Sequence, residues 1–475
     1  VTLDYDLVVI GGTRPGIEAA IAAAKLQARV ALVQPPQQAI NAPPFSEGTG
    51  PIQTAELFDS PSILWGGPFP QDLPELARAL EQSTQALASL GEERSPAVLA
   101  SHGIDVIAEA GEFISLPQVA LNVKTRRLVS RHYLLAPSFR SAIPDIPGLV
   151  TTGYLTRETF HHFTEGTLPN TIAIIGSDPN GIELAQILIR LGIVVTLITS
   201  APQILPKEDP EAAQLIQAQL EADGILVLTD TPVMAVESSP GKKIVQTENR
   251  AIACDEIFIA CGFQSNIDGL NLESVGVEFY RTPLGQRVQL NAKLQTTNPQ
   301  IYGCGNLGGG YPLVNLARHE AEIAVKNALF FPRHRVKYWG IPWAFQTYPE
   351  IARVGLTEPQ AKRRYDDVVV LRQYFKGIAG GRLQQETTGF CKVLVRGNGE
   401  ILGTHILGPG AAELIHSFAL GMQNNLKVEA IATLPHIWPS LSEINQQTAQ
   451  LWQEKRFKQN TFWQNLLDIW FNWRR

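Results

Sequence analysis

Two stretches of this chain repeat one another. Residues 6–34 read DLVVIGGTRPGIEAAIAAAKLQARVALVQ, and residues 171–199 read TIAIIGSDPNGIELAQILIRLGIVVTLIT. Each is a short apolar run, a glycine-bearing turn, a helix-favouring stretch and a second apolar run. In the first, Val8, Val9 and Ile10 read as a buried strand, Gly16 to Lys25 as a helix, and Val30, Leu32 and Val33 as the next strand. A strand that passes through a helix and returns as a strand lies parallel to its predecessor, and a parallel sheet needs both faces covered.

A glycine turn that opens a helix after a strand brings backbone amides to a phosphate, so the repeat predicts two Rossmann-like units in one chain. The length, 475 residues, exceeds what a single core supports. Residues 35–52 read as a Pro- and Gly-rich loop, 72–91 as an amphipathic helix, and IPDIPGL as a stiff connection. From about residue 334 the pattern alternates, as in FCKVLVRG and ILGTHILG, and a helix follows at 410–424. This predicts antiparallel strands in a third, α+β domain. The net charge of −6 and pI near 5.9 argue against nucleic acid as a partner. No secretory signal is read before the first strand, and no run of eighteen apolar residues occurs, which suits a cytoplasmic chain.

The ordered set of the two glycine turns, IPDIPGLVTTGYLT, ILPKEDPEAAQLIQAQL, NIDGLNLESVGV, LQTTNPQIYGCGN, PEIARVGLTEPQA and HILGPGAAELI resembles the pyridine nucleotide-disulfide oxidoreductases, over residues 4–455. The resemblance implies an α/β fold with two Rossmann-like dinucleotide-binding domains plus an α+β C-terminal dimerisation domain. It implies an FAD domain from 1–150 and 267–333, an NAD(P) domain at 151–266 and a dimerisation domain at 334–455; beyond the resemblance, residues 456–475 read as an amphipathic, aromatic-rich C-terminal helix. It also implies a C-x-x-x-x-C disulfide reduced through FAD, assisted by a histidine from the partner subunit within H-x-H-P.

The chemistry of that family is not carried over residue by residue. Its cysteine positions align with Ser46 and Pro51, and no cysteine precedes Cys254. Cys254, Cys261, Cys304 and Cys391 form no C-x-x-C or C-x-x-x-x-C pair and read as buried small side chains. Cys254 and Cys261, seven apart, would face opposite sides if they shared a strand. Without a thiolate there is no dithiol exchange. In PHIWPSLSE, His436 matches the first histidine and Glu443 the orienting acid, but Trp438 stands at the base, and indole takes no proton. No catalytic residue and no metal ligand set are identified.

The cofactor turns also depart. Asp178 occupies the close-approach position of the second turn, and Thr199 and Ser200 end the next strand without an acid or arginine, so NAD(P) in the usual mode is not expected. Asp178 suits the helix as its own N-cap. In the first turn Gly11, Gly12 and Gly16 are kept, Thr13 takes the close-approach position with a hydroxyl able to donate to a phosphate, and Arg14 is a charged turn residue. Gln34 replaces the ribose-binding acid, Asn306 the flavin-side aspartate, and Ala136-Pro137-Ser138-Phe139 the A-T-G-S stretch. The changes suit a lost FAD site or one refitted for another ligand, and bound FAD itself also remains open.

Residues 453–475 close with Phe462, Trp463, Leu466, Leu467, Ile469, Trp470, Phe471 and Trp473 on one helical face, with Lys455, Arg456, Lys458, Arg474 and Arg475 nearby. This pattern suits contact with a membrane surface or a partner protein more than docking on the chain itself. The sequence favours a non-catalytic homodimeric scaffold at a membrane or in a complex. The alternative is an FAD-dependent oxidoreductase using a donor other than NAD(P)H.

Overall fold

The computed structural model describes residues 3–34, 95–115, 117–159, 169–282, 285–310, 313–459 and 461–474. The expected loop 35–52, the helix 72–91, Ser46 and Pro51 lie outside the described residues. The chain divides into two compact units: Val1–Pro202 with Asp223–Val336, and Gln203–Ala222 with Lys337–Arg475.

In the first unit, β1 (Tyr5–Ile10) turns into α1 (Arg14–Lys25) and returns as β2 (Val30–Val33), followed by β3 (Ile104–Ile107) and β4 (Ser130–Leu135). The repeat follows: β5 (Thr171–Ile175), α2 (Pro179–Arg190), β6 (Val194–Ile198), β7 (Leu226–Leu228) and β8 (Glu256–Ile259). The chain then comes back to the first sheet with β9 (Ile301–Gly303) and lays α3 (Val314–Leu329) against α1. One parallel sheet has the order β9-β4-β1-β2-β3 and the other β7-β6-β5-β8.

The registers match in the two halves. Leu7 sits opposite Val30 and Ile10 opposite Val33, as Thr171 sits opposite Val194 and Ile175 opposite Ile198. Leu7, Val8, Val9, Leu32, Ile174 and Leu197 have no exposed surface. Each such side chain contributes about 1.5–3 kcal/mol of burial before chain entropy is counted. Both helices start after a capping side chain with a proline in the first turn, where its missing N–H is harmless. α1 therefore begins at Arg14, ahead of the Gly16 start read from sequence.

Gly11 (φ +128°) and Gly176 (φ +104°) have no substitute. A Cβ on Gly11 would fall 1.9 Å from the Ala136 carbonyl oxygen, and one on Gly176 would fall 2.1 Å from that of Ala260. Cys254 ends the strand Ala251–Cys254, whereas Cys261 follows β8, so the two do not share a strand and the alternation rule does not relate them.

The second unit is built on β10 (Trp343–Phe345), β11 (Ile351–Gly355), β12 (Val368–Tyr374), β13 (Phe390–Arg396) and β14 (Ile401–Leu407), an antiparallel sheet of order β10-β11-β14-β13-β12. Its core includes Phe375, Val393, Ile406, Ile415 and Phe418. The segment 203–222 is tied in by buried charge. Lys392 Nζ lies 2.8 Å from Asp209, 2.6 Å from Glu358 and 3.2 Å from Glu211, and Arg353 lies 3.4 Å from Glu208. Removing one member of such a cluster strands the rest, which typically costs about 3–5 kcal/mol. At the end of the chain stand α4 (Glu443–Gln459) and α5 (Thr461–Arg474). Among the described residues no helix is long and apolar enough to cross a membrane.

Candidate dinucleotide sites

The carboxyl ends of β1, β4 and β9 meet at one edge. Ala136 N–H donates to the Ile10 carbonyl at 2.8 Å, Cys304 N–H to that of Leu135 at 3.0 Å, and Gly11 N–H to that of Val33 at 2.9 Å. This is the edge at which open α/β sheets receive ligands. The structure brings Gly11, Gly12, Thr13, Gly16 and Gln34 together there, and Asn306 opens a short 3-10 turn, Asn306–Gly308, just past β9.

The Thr13 hydroxyl is not a phosphate donor. It donates to the Ala136 carbonyl at 2.9 Å and accepts the Gly16 N–H at 3.4 Å, which corrects the expectation from sequence. Its oxygen takes one helix amide, and Pro15 has none to offer, so the N-terminus of α1 presents fewer free donors than usual. Charge compensates. Glu18 is bound by Arg14 at 3.1 Å and by Arg318 from α3 at 2.5 Å. Two guanidinium groups against one carboxylate leave the mouth of α1 net positive.

Gln34 follows β2, with its N–H on the Ile107 carbonyl at 2.9 Å. Its side chain folds over Gly12, where a Cβ would come within 3.0 Å of Gln34 Cγ. Its Nε2 is buried without a hydrogen-bond partner. An orphaned buried donor costs about 1–3 kcal/mol. It lies at the position where a dinucleotide places a ribose, and a ribose oxygen would satisfy it. These residues fit the adenosine end of FAD.

The corresponding elements of the second half are closed. Asp178 caps α2: Oδ1 accepts Gly181 N–H at 2.9 Å and Oδ2 accepts Gly262 N–H at 3.2 Å. The carboxylate holds the Gly181 N–H, one of the helix-start amides a pyrophosphate would use. At the end of β6, Ser177 Oγ donates to Thr199 Oγ1 at 3.1 Å, and that oxygen also accepts Ala201 N–H. These residues do not fit NAD(P).

All four cysteines are free thiols. Burial pushes Cys254 up to about 11 and Cys261 and Cys391 up to about 12, and raises Cys304 as well, so each stays protonated at neutral pH. Trp438 is 74% exposed, and Glu443 accepts Ser440 N–H at 3.0 Å and Gly380 N–H at 3.3 Å. The acid expected to orient a base holds backbone instead. Burial lowers the pKa of His436, whose Nε2 makes no hydrogen bond. Among the described residues no group of His, Cys, Asp or Glu could hold a metal ion. Sequence reasoning missed Arg318, Gly262 and the Ser177–Thr199 pair. Arg318 meets Glu18 only through the packing of α3 on α1, which leaves no spacing signal.

Residues 5–321 match the family model for pyridine nucleotide-disulphide oxidoreductases, and residues 341–449 match the dimerisation domain of those enzymes. Similar curated proteins include a mercuric reductase of Staphylococcus aureus, 29% identical over 438 residues covering 90% of this chain and 78% of that protein. A dihydrolipoyl dehydrogenase of Bacillus subtilis (strain 168) is 27% identical over 449 residues, covering 92% and 96%. Among solved structures, the HOCl-induced flavoprotein disulfide reductase RclA from Escherichia coli superposes with a TM-score of 0.78 at 23% identity, over 94% of this chain and 99% of that one. That likeness concerns the fold.

Proposed function

Because the chain belongs to the pyridine nucleotide-disulphide oxidoreductase family, we propose that it is an FAD-binding oxidoreductase that does not draw electrons from NAD(P)H. One observation carries this reading: the orphaned Nε2 of Gln34, set against the self-satisfied carboxylate of Asp178. Gln34 would hold the ribose of FAD, and Arg14 and Arg318 would supply positive charge beside its pyrophosphate. When bound, FAD supplies two-electron redox chemistry. A second phosphate group beside Asp178 would meet like charge worth about 4 kcal/mol at 4 Å and an effective dielectric near 20. That is roughly a thousandfold in affinity.

The chain carries the family's dimerisation domain and with it the means of self-association. The division into an FAD domain at 1–150 and 267–333, an NAD(P)-type domain at 151–266 and a dimerisation domain at 334–455 belongs to the same proposal. Disulfide reduction does not, since no cysteine precedes Cys254. The relatives are enzymes, which favours this reading over the non-catalytic scaffold suggested by the sequence.

The absorption spectrum of the purified protein tests it. Bands at roughly 370 and 450 nm, as in oxidised flavins, are expected, either directly or after incubation with FAD. NADPH should leave them unchanged. A colourless protein that fails to take up FAD would leave the scaffold, and rapid bleaching by NADPH would overturn the reading of Asp178.

A further inference from the structure

We propose that α5 docks on an anionic lipid bilayer. Its exposed side chains are large and apolar: Ile469 is 69% exposed, Trp470 49%, Phe471 55%, Trp473 78% and Leu466 43%. No described residue of the second unit covers them. The polar residues Gln464, Asn465, Asp468 and Asn472 occupy the other side of the helical wheel.

Three features select a bilayer over a protein surface. The apolar arc covers about half the wheel, whereas a helix seated on a protein buries a stripe nearer 100° wide. Half a cylinder is what a helix lying in the plane of an interface immerses. The arc is also aromatic. The Trp470 and Trp473 rings lie side by side, tilted by 41° with centroids 6.0 Å apart, and the Arg474 guanidinium lies 5.5 Å from the Trp470 ring centroid. Indole N–H groups and a guanidinium find acceptors at headgroup depth, while the rings sit in the acyl boundary. Third is charge. Residues 453–475 hold five cations and two carboxylates, a net +3 in a chain of −6, which leaves −9 for the rest. An acidic body that ends in a basic aromatic helix is repelled by an anionic bilayer everywhere except at that helix. The tail also lies beyond residues 341–449, so the dimerisation match does not require it.

This inference is independent of the cofactor reading. The test is sedimentation of the full-length protein with vesicles of phosphatidylcholine containing phosphatidylglycerol, compared with phosphatidylcholine alone. Tryptophan emission is followed in parallel. The protein should pellet with the anionic vesicles, with a blue-shifted emission. It should return to the supernatant in about 1 M salt, where the Debye length is about 3 Å. Lys458→Gln with Arg474→Gln should weaken binding roughly 25-fold. Ile469→Asp with Trp473→Asp should abolish it without changing the thermal transition or the mass in solution. Full-length protein that stays in the supernatant overturns the proposal. So does equal, salt-insensitive binding to neutral vesicles. So does a change of oligomeric mass in the Ile469/Trp473 variant, which would make this face a contact between copies.

Discussion

The two glycine turns of the first unit share a backbone and differ in what their polar groups do. Gly11 and Gly176 pack against the carbonyls of Ala136 and Ala260 in the same way, and each turn places a capping side chain ahead of its helix. Around Asp178 four donors find acceptors inside the chain: Gly181 and Gly262 on the carboxylate, Ser177 and Ala201 on Thr199. At Thr13 the cap is longer, the local charge is positive, and Gln34 Nε2 finds nothing. Where a side chain already accepts a helix-start amide an anion has fewer donors to bind, and where a buried donor is unmet a ligand acceptor has one to satisfy; the proposed cofactor assignment rests on that difference.

The largest expected effect tests what the turns share. Gly11→Ala and Gly176→Ala should each lower unfolding stability by about 4 kcal/mol or more, measured by urea denaturation, because the new Cβ meets a carbonyl at about 2 Å. If only one variant suffers, the two turns are not equivalent. The next effect tests how they differ. Asp178→Gly should remove roughly 4 kcal/mol of repulsion at most and bring NADPH binding into calorimetric range, while losing no more than about 1 kcal/mol of cap. Thr13→Gly should change FAD affinity less than about threefold, since no charge is removed.

Gln34→Leu sharpens the contrast further. Removing the orphaned donor should raise the stability of the cofactor-free protein by about 1 kcal/mol and weaken FAD about tenfold. Thr199→Ala should cost about 1 kcal/mol and leave FAD affinity alone. Thermal unfolding with and without FAD reads both. The smallest effect lies at the opposite end of β5. Asp255 accepts Thr171 N–H at 2.9 Å and Asn170 N–H at 3.1 Å, and pairs with Lys242 at 2.7 Å. Hydrogen bonds from Lys242 and Thr171 hold its carboxyl down to about 2. A depressed folded pKa contributes stability above the ordinary aspartate range, near 3.9, that fades as pH falls toward 2. Asp255→Asn should flatten that part of the acid profile, measured as melting temperature against pH.

Both strand–turn–helix units were legible because periodicity and glycine placement are local, whereas the registers between strands buried on both faces were not. Asp178 was legible as a cap because capping is a three-residue relation. The Thr13 hydroxyl was misread because its acceptor, the Ala136 carbonyl, lies 123 residues away. The cluster around Lys392 was invisible for the same reason: Asp209 lies 183 residues away and meets the lysine only in the folded chain.

By itself the sequence determined the α/β architecture, the absence of a cysteine before Cys254, and the half-apolar wheel of the terminal helix, all of which depend on residue identity and short spacing. Tertiary structure alone decided which polar groups are satisfied. A hydrogen bond is a relation between two atoms whose distance in space is set by packing, so the same glutamine is a stand-in for a ribose-binding acid in the sequence and an unmet donor in the folded chain.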